Sequence, residues 1–271
     1  MSAEFLDIRV SEPSSPPFPY EHAIEAYGVP LALGAADAEL MRLVTAVLPP
    51  HTRQCEPSTV RARFGLVRDE VGYRVVGDDV DMGSPDPEIA AGLLDALVRS
   101  RVAQLAPDRV FVHAGVVAHH SRAIVLPGRS MSGKTTLVAE LVRAGAVYYS
   151  EEYAVLDAHG VVHPYPKRLS IRANGGDASV ESLGGVAGTE PVPAGLIAFS
   201  TYAPGAEWRP SPLSPAQGAI ELLSHALVAR ERPEEALTAT TRLAAGAVIL
   251  KGDRGDAADV ASALLHALEG A

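Results

Sequence analysis

The stretch Gly128-Arg129-Ser130-Met131-Ser132-Gly133-Lys134-Thr135 constrains the fold of this chain more than any other feature. It satisfies in full the pattern G-x-x-x-x-G-K-[ST]. The run ahead of it, Ala123-Ile124-Val125-Leu126, is apolar and strand-like. The run behind it, from Lys134 to Gly145, carries apolar residues at helical spacing and closes on a glycine. A strand, a glycine loop and a helix in that order place the loop at the end of a sheet, with backbone N–H groups converging at the start of the helix. Side chains at Gly128 or Gly133 would obstruct that concave wrap around phosphate oxygens. Lys134 supplies positive charge to outer phosphates, the Thr135 hydroxyl offers one ligand to Mg²⁺, and the helix dipole adds its positive end. A chance match in a chain of 271 residues is on the order of one per cent, so a bare glycine turn capping a helix is the weaker reading. The candidate nucleotide-binding residues are Gly128, Arg129, Ser130, Met131, Ser132, Gly133, Lys134, Thr135 and Thr136.

Strands and helices interleave on both sides of the loop, and several strand pairs have hairpin turns between them. The expected class is therefore α/β with a mixed rather than a purely parallel sheet. Residues 11–20 read as an extended, proline-rich arm, 24–33 as a strand, and 35–48 as a helix stopped by Pro49–Pro50. A hairpin is expected around residues 68–72 and an amphipathic helix from Pro87. Two strands flank the turn His119-His120-Ser121-Arg122. A strand, the acidic pair Glu151–Glu152, a second strand, a turn and a third strand follow the loop helix. Beyond these come a strand over 194–202, a helix over 214–231 capped by Ser214, a strand over 241–253 and a closing helix over 256–270. A boundary near residue 107 divides a smaller N-terminal α+β unit, 1–106, of βαββα-like order, from a P-loop unit, 107–271.

Composition narrows the function. The net charge of −10 argues against nucleic-acid binding, which needs a positive face to replace counterions. Cys55 is the only cysteine, so no disulfide framework and no cysteine-based zinc site is expected, and a reducing cytoplasm suits the chain. No apolar run is long enough for a transmembrane helix, and the acidic, proline-rich start is unlike a secretory signal, so no membrane partner is expected. A guanine-reading N-K-x-D is absent. Asp157-Ala158-His159-Gly160 matches D-x-x-G but reads as a hairpin turn, and residues 183–188 do not form a transporter signature. His119 and His120 are expected to point apart in their turn, which argues against a metal site there. His159 and His163 read as surface residues and Trp208 as a packing anchor.

The surroundings of the loop carry a narrower signal. His113 opens the strand one hairpin upstream of Gly128, and Glu151–Glu152 follow the next strand after the loop helix. This arrangement resembles the catalytic core of HPr kinase/phosphorylase, a bacterial serine kinase whose fold is related to phosphoenolpyruvate carboxykinase. There a His-Gly begins a strand, a hairpin returns into the P-loop, and a later strand presents two adjacent aspartates. Residues 168–172, RLSIR, are also similar to a later segment of that family. A closer likeness is to related kinases found beside peptide-modification genes, lasso-peptide clusters among them, through SEEYAVLD and HPYPKRLSIR. The resemblance covers about residues 113–173. Two departures stand out: the aspartate pair is a glutamate pair, one methylene longer, and Ser170 stands where the family has a metal-binding glutamate.

The resemblance implies an HPr kinase/phosphoenolpyruvate carboxykinase-like core and an ATP- and Mg²⁺-dependent kinase acting on a hydroxyl. A serine of a peptide or protein is the acceptor it favours. It implies that Lys134 holds the β- and γ-phosphates, that Thr135 and Glu151 serve the metal, and that Glu152 or Glu151 is the base. Arg172 then faces the transferring phosphoryl group, and His113 lies on the acceptor side. Two alternatives stay open: a small-molecule alcohol as acceptor, and a nucleotide-binding regulator without turnover, which the serine at 170 favours. Residues 1–106 are the expected source of acceptor specificity, and a homo-oligomer is compatible with the reading.

Overall fold

The computed structural model describes residues 18–70, 72–128, 132–167, 169–171 and 176–270. It divides the chain into a unit ending at Pro107 and a unit beginning at Asp108. Together they make a mixed α/β protein whose described residues include two mixed sheets, of six and eight strands, and six α-helices. No described helix is long and apolar enough to cross a membrane.

The first unit runs β1 (Tyr20–Ala26), β2 (Val29–Ala35), α1 (Ala38–Ala46), β3 (Arg53–Gln54), β4 (Ala62–Arg68), β5 (Tyr73–Gly77), β6 (Asp81–Ser84) and α2 (Pro87–Leu105). The segment expected as one strand over 24–33 is two. Tyr27 and Gly28 form a two-residue turn with φ of 50° and 78°, and β1 pairs antiparallel with β2, Ala26 opposite Val29. Such turns need positive φ at both central positions, and a tyrosine in the first of them is a weak sequence signal. The expected βαββα order is corrected accordingly. The sheet order is β3-β1-β2-β4-β5-β6, with β2–β4 its only parallel pair among the described strands. The hairpin expected at 68–72 joins β4 to β5 with Arg68 opposite Tyr73; Val71 in its turn lies outside the described residues, as do 11–17 of the expected arm. Asp37 and Asp86 cap α1 and α2 by accepting first-turn N–H bonds, and Pro87 occupies the first turn of α2.

The second unit contains β7 (Val110–His119), β8 (Arg122–Pro127), α3 (Lys134–Arg143), β9 (Val147–Ser150), β10 (Tyr153–Leu156), β11 (Val162–His163), β12 (Leu169–Ile171) and β13 (Gly176–Ala178). It continues with β14 (Ala194–Tyr202), β15 (Ser211–Pro212), α4 (Pro215–Leu223), α5 (Pro233–Ala245), β16 (Val248–Arg254) and α6 (Ala257–Glu269). Its large sheet has the order β11-β10-β7-β8-β14-β16-β15, with β9 also pairing with β7. The centre, β8-β14-β16, is parallel. Both faces of that centre are covered. Val116, Val125 and Ile197 face a core shared with α4 and α5. Val117, Ile124, Leu126 and Leu196 face a second core shared with α3 and α6. A strand buried on both faces must be apolar at every position, which is why Ala123–Leu126 does not alternate. Each large aliphatic side chain so buried contributes about 1.5–3 kcal/mol.

Two expected elements are corrected. The helix expected over 214–231 ends at Leu223. After it, His225 and Leu227 turn to backbone bonds with β7: His113 N–H donates to His225 and Leu227 N–H donates to Phe111, each at 2.9 Å. The strand expected over 241–253 begins only at Val248, because residues 241–245 belong to α5. Ala236, Ala239, Thr240 and Leu243 of that helix are buried in the sheet core. This burial overrides the low helix propensity of its threonines.

Candidate functional site

The glycine loop leaves the C-terminal end of β8, in the middle of the sheet, where open α/β sheets present ligand sites. Its first glycine is fastened: Gly128 N–H donates to the His113 carbonyl at 3.2 Å, and the Lys134 ammonium donates to the Gly128 carbonyl at 2.7 Å. A Cβ at Gly128 would first strike Ser132 Oγ, at 2.7 Å. Gly133 caps α3 in the left-handed region, φ 81°, and offers no side chain to the first-turn N–H groups. Those donors stay available to an anion, with the helix dipole behind them. Thr135 is half-buried on the first turn and Thr136 is exposed. Arg129, Ser130 and Met131, and Arg172 further on, lie outside the described residues.

The acidic pair is built into the same place by strand register. Ser150, the last residue of β9, stands opposite Val116, and Tyr153 of β10 opposite His113, in the same register along β7, while the rest of β9 is shifted by one residue beyond Val116. Glu151 and Glu152 are therefore an interruption within a continuous strand rather than residues at its end. Ser150 Oγ, itself buried, accepts the N–H groups of Glu152 and Tyr153 at 3.1 and 2.9 Å and so fixes the shape of the interruption. Ala114 N–H donates to the Glu152 carbonyl at 3.1 Å. Glu151 is buried, only 9% exposed. Glu152 reaches the His113 Nδ1 at 3.8 Å, and both side chains are partly open to solvent. The interruption thus sends one carboxylate inward and leaves the other accessible.

Charge links the pair to the loop. Burial lowers the Lys134 ammonium below its ordinary pKa, and the charges of Glu152 and Glu151 act against that shift. Burial also pushes the Tyr148 phenol well above its ordinary value, and the Glu151 charge adds to that shift. Tyr148 donates to the Lys167 carbonyl at 2.7 Å, anchoring the chain that leads into residues 168–172. Beneath His113, Tyr153 packs at 5.2 Å between ring centroids, with Phe111 and Tyr165 in edge-to-face contact behind it.

Arg254, at the end of β16, belongs to the site and has no motif to announce it. It is 2% exposed. Its Nη2 donates to the Gly133 carbonyl at 2.8 Å and its Nη1 to Gly255 at 3.3 Å, and the guanidinium lies 5.5 Å from the Tyr202 ring centre. Its Nε has no hydrogen-bond partner, and no described carboxylate makes an ion pair with it. Burial lowers its pKa, against the influence of Tyr202 and Asp256. A Cβ at Gly133 would run into this guanidinium, so that glycine is required both for its φ and for the close approach. The available sequence signal was positional: a charged residue closing a parallel strand two places from the loop strand.

No protein-family model matches the chain, and no curated protein matches it. The site therefore speaks through its own chemistry. Lys134, the start of α3 and a buried arginine concentrate positive charge at the loop. A buried and an accessible carboxylate stand beside it, the latter next to a histidine. Of the described candidates, Gly128, Gly133, Lys134, His113, Glu151 and Glu152 are brought to one end of β7 and β8, and Thr135 stands on the first turn of the helix that starts there.

Proposed function

We propose that the chain is an ATP- and Mg²⁺-dependent phosphotransferase of the HPr kinase type, with a phosphoenolpyruvate carboxykinase-like core, acting on a hydroxyl and working in the cytoplasm. The observation that carries this reading is the joint placement of Lys134 and the carboxylates of Glu151 and Glu152 at one loop. A phosphate-binding loop alone holds a nucleotide; a carboxylate beside it, partly open to solvent and next to an imidazole, is what transfer requires. The oxygen donors of half-buried Thr135 and buried Glu151 suit Mg²⁺. When bound, such an ion would supply positive charge to offset that of the phosphates. Lys134 and the α3 N–H groups hold the phosphate chain. Glu152 takes the proton of the acceptor hydroxyl as its oxygen bonds to the γ-phosphorus and the bond to the bridging oxygen breaks. His113 orients Glu152. A peptide or protein serine is the acceptor supported by the HPYPKRLSIR resemblance, and a small-molecule alcohol uses the same chemistry.

The test is mass spectrometry of candidate peptides and a metabolite pool after incubation with ATP and Mg²⁺, with Lys134→Ala and Glu152→Gln alongside. A one-phosphate gain in a specific acceptor, abolished in both variants, is expected. The serine at 170 favours a second reading, a nucleotide-binding regulator. Tight ATP binding without transfer to any acceptor, unchanged in Glu152→Gln, would establish that one instead.

A further inference from the structure

At the opposite end of β8 from the glycine loop, the turn between β7 and β8 meets the end of α6. His120 and Ser121 are the two central residues of this hairpin, with φ of 48° and 57° and His119 opposite Arg122. The strand's alternation ends at His119, so the side chains of His119 and His120 do not diverge as expected. Their ring centroids are 4.0 Å apart. Both imidazoles turn toward Glu269 on the last turn of α6: the Nε2 atoms of His119 and His120 lie 3.6 and 3.9 Å from the same carboxylate oxygen, Oε1. One ligand atom from each of the three residues falls within a 4.8 Å group. On the other carboxylate oxygen, Oε2, the exposed His266 Nδ1 stands at 3.9 Å, one helical turn away.

These separations match a coordination sphere. A tetrahedral ion with bonds of about 2.0–2.1 Å holds its ligands roughly 3.4 Å apart; the two imidazole–carboxylate separations are within about 0.5 Å of that, and the imidazole nitrogens lie within 4.8 Å of each other. Hydrogen bonding does not explain the cluster, because all three contacts to the carboxylate exceed 3.5 Å. The α6 C-terminus adds partial negative charge. The nearby Arg122 donates to the Leu268 carbonyl. Two imidazoles and a carboxylate select zinc-type ions over Mg²⁺ or Ca²⁺, which prefer oxygen.

We propose that His119, His120 and Glu269 form a binding site for a zinc-type divalent transition-metal ion that staples the β7–β8 hairpin to the end of α6. The site is distinct from the glycine loop. β8 has 6 residues and α6 has 13, and each spans about 20 Å. The far end of β8 leads to Gly128, and Arg254 stands just before the start of α6, so the staple fixes the two elements that frame the loop. Three protein ligands leave one position of a four-coordinate ion to solvent.

Zinc titration of the chelator-treated full chain by calorimetry tests this, with His119→Ala, His120→Ala, Glu269→Gln and the distant His159→Ala alongside. A site of micromolar order is expected in the wild type and in His159→Ala, weakened by about tenfold or more in the other three. Cobalt in place of zinc gives the visible bands of a four-coordinate ion in the wild type only, and zinc raises the melting temperature only where the site is intact. Absence of such a site, or equal affinity in all variants, overturns the proposal. Should His119→Ala fail to fold, Glu269→Gln, at a half-exposed position, still decides the matter.

Discussion

Arg254 holds a charge where charge is expensive. Its guanidinium is buried against backbone carbonyls and one aromatic face, with Nε unpartnered, and removing such a group in favour of an apolar side chain is often neutral or stabilising. Arg254→Met is therefore expected to keep or raise the melting temperature while lowering ATP affinity about tenfold, near 1.4 kcal/mol. Arg254→Lys is not expected to rescue binding, because a single ammonium cannot reproduce the planar fork that reaches Gly133 and Gly255 together. Calorimetric titration with ATP beside a thermal melt reads both effects; a parallel loss of stability and affinity would reduce the residue to a structural one. Glu152→Gln keeps the shape and removes the basicity. On the proposed reading it lowers kcat by about 10²–10⁴-fold with little change in nucleotide KM, as steady-state kinetics would show.

The elements of the second unit meet at close quarters. Gly115 lets α3 lie directly on β7: a Cβ there would come within 2.6 Å of Val138 Cγ2. Gly115→Ala is expected to destabilise by about 1–3 kcal/mol, and Val138→Ala in the same chain to restore part of it, measured by chemical denaturation. The β10–β11 hairpin depends on Asp157, whose carboxylate accepts N–H bonds from His159 at 2.8 Å and Val161 at 3.1 Å and pairs with His163 at 3.0 Å. Burial works against its ionisation, but these bonds outweigh it and hold the carboxyl below its ordinary value. A depressed carboxyl stabilises the fold above the pKa of the unfolded chain, and that stabilisation disappears as pH falls through the folded value. Asp157→Ala should thus destabilise at neutral pH by about 1–2 kcal/mol. The gap from wild type should narrow in acid below the usual carboxylate range, as melts at the two pH values would reveal.

For the molecule as a whole, each unit carries its own sheet. The unit beginning at Asp108 buries apolar side chains on both faces of its sheet, under α4 and α5 on one side and α3 and α6 on the other. Expressed alone from Asp108, it is expected to unfold in one cooperative transition followed by circular dichroism. A broad, non-cooperative melt would show that the first unit is needed to complete its core.

The sequence alone determined what is local. The glycine loop, its strand and helix, the Ser214 cap of α4, Pro87 in the first turn of α2, and the acidic pair one strand onward were legible because each depends on neighbours a few residues away: a glycine that must adopt φ 81°, a cap that must accept an N–H, a face that must be apolar. The Tyr27–Gly28 turn and α5 escaped, since a tyrosine and several threonines weaken signals that packing then overrides. Only the tertiary structure decided the rest. It laid Ser150 at the end of β9 and Tyr153 at the start of β10 against the same strand, β7, with Glu151 buried and Glu152 beside His113. It brought Arg254 to Gly133 across a separation of 121 residues, and His119 and His120 to Glu269 at the end of α6. Contacts between residues far apart in sequence leave no periodicity or spacing to read, because they exist only once the sheet has set the order of its strands.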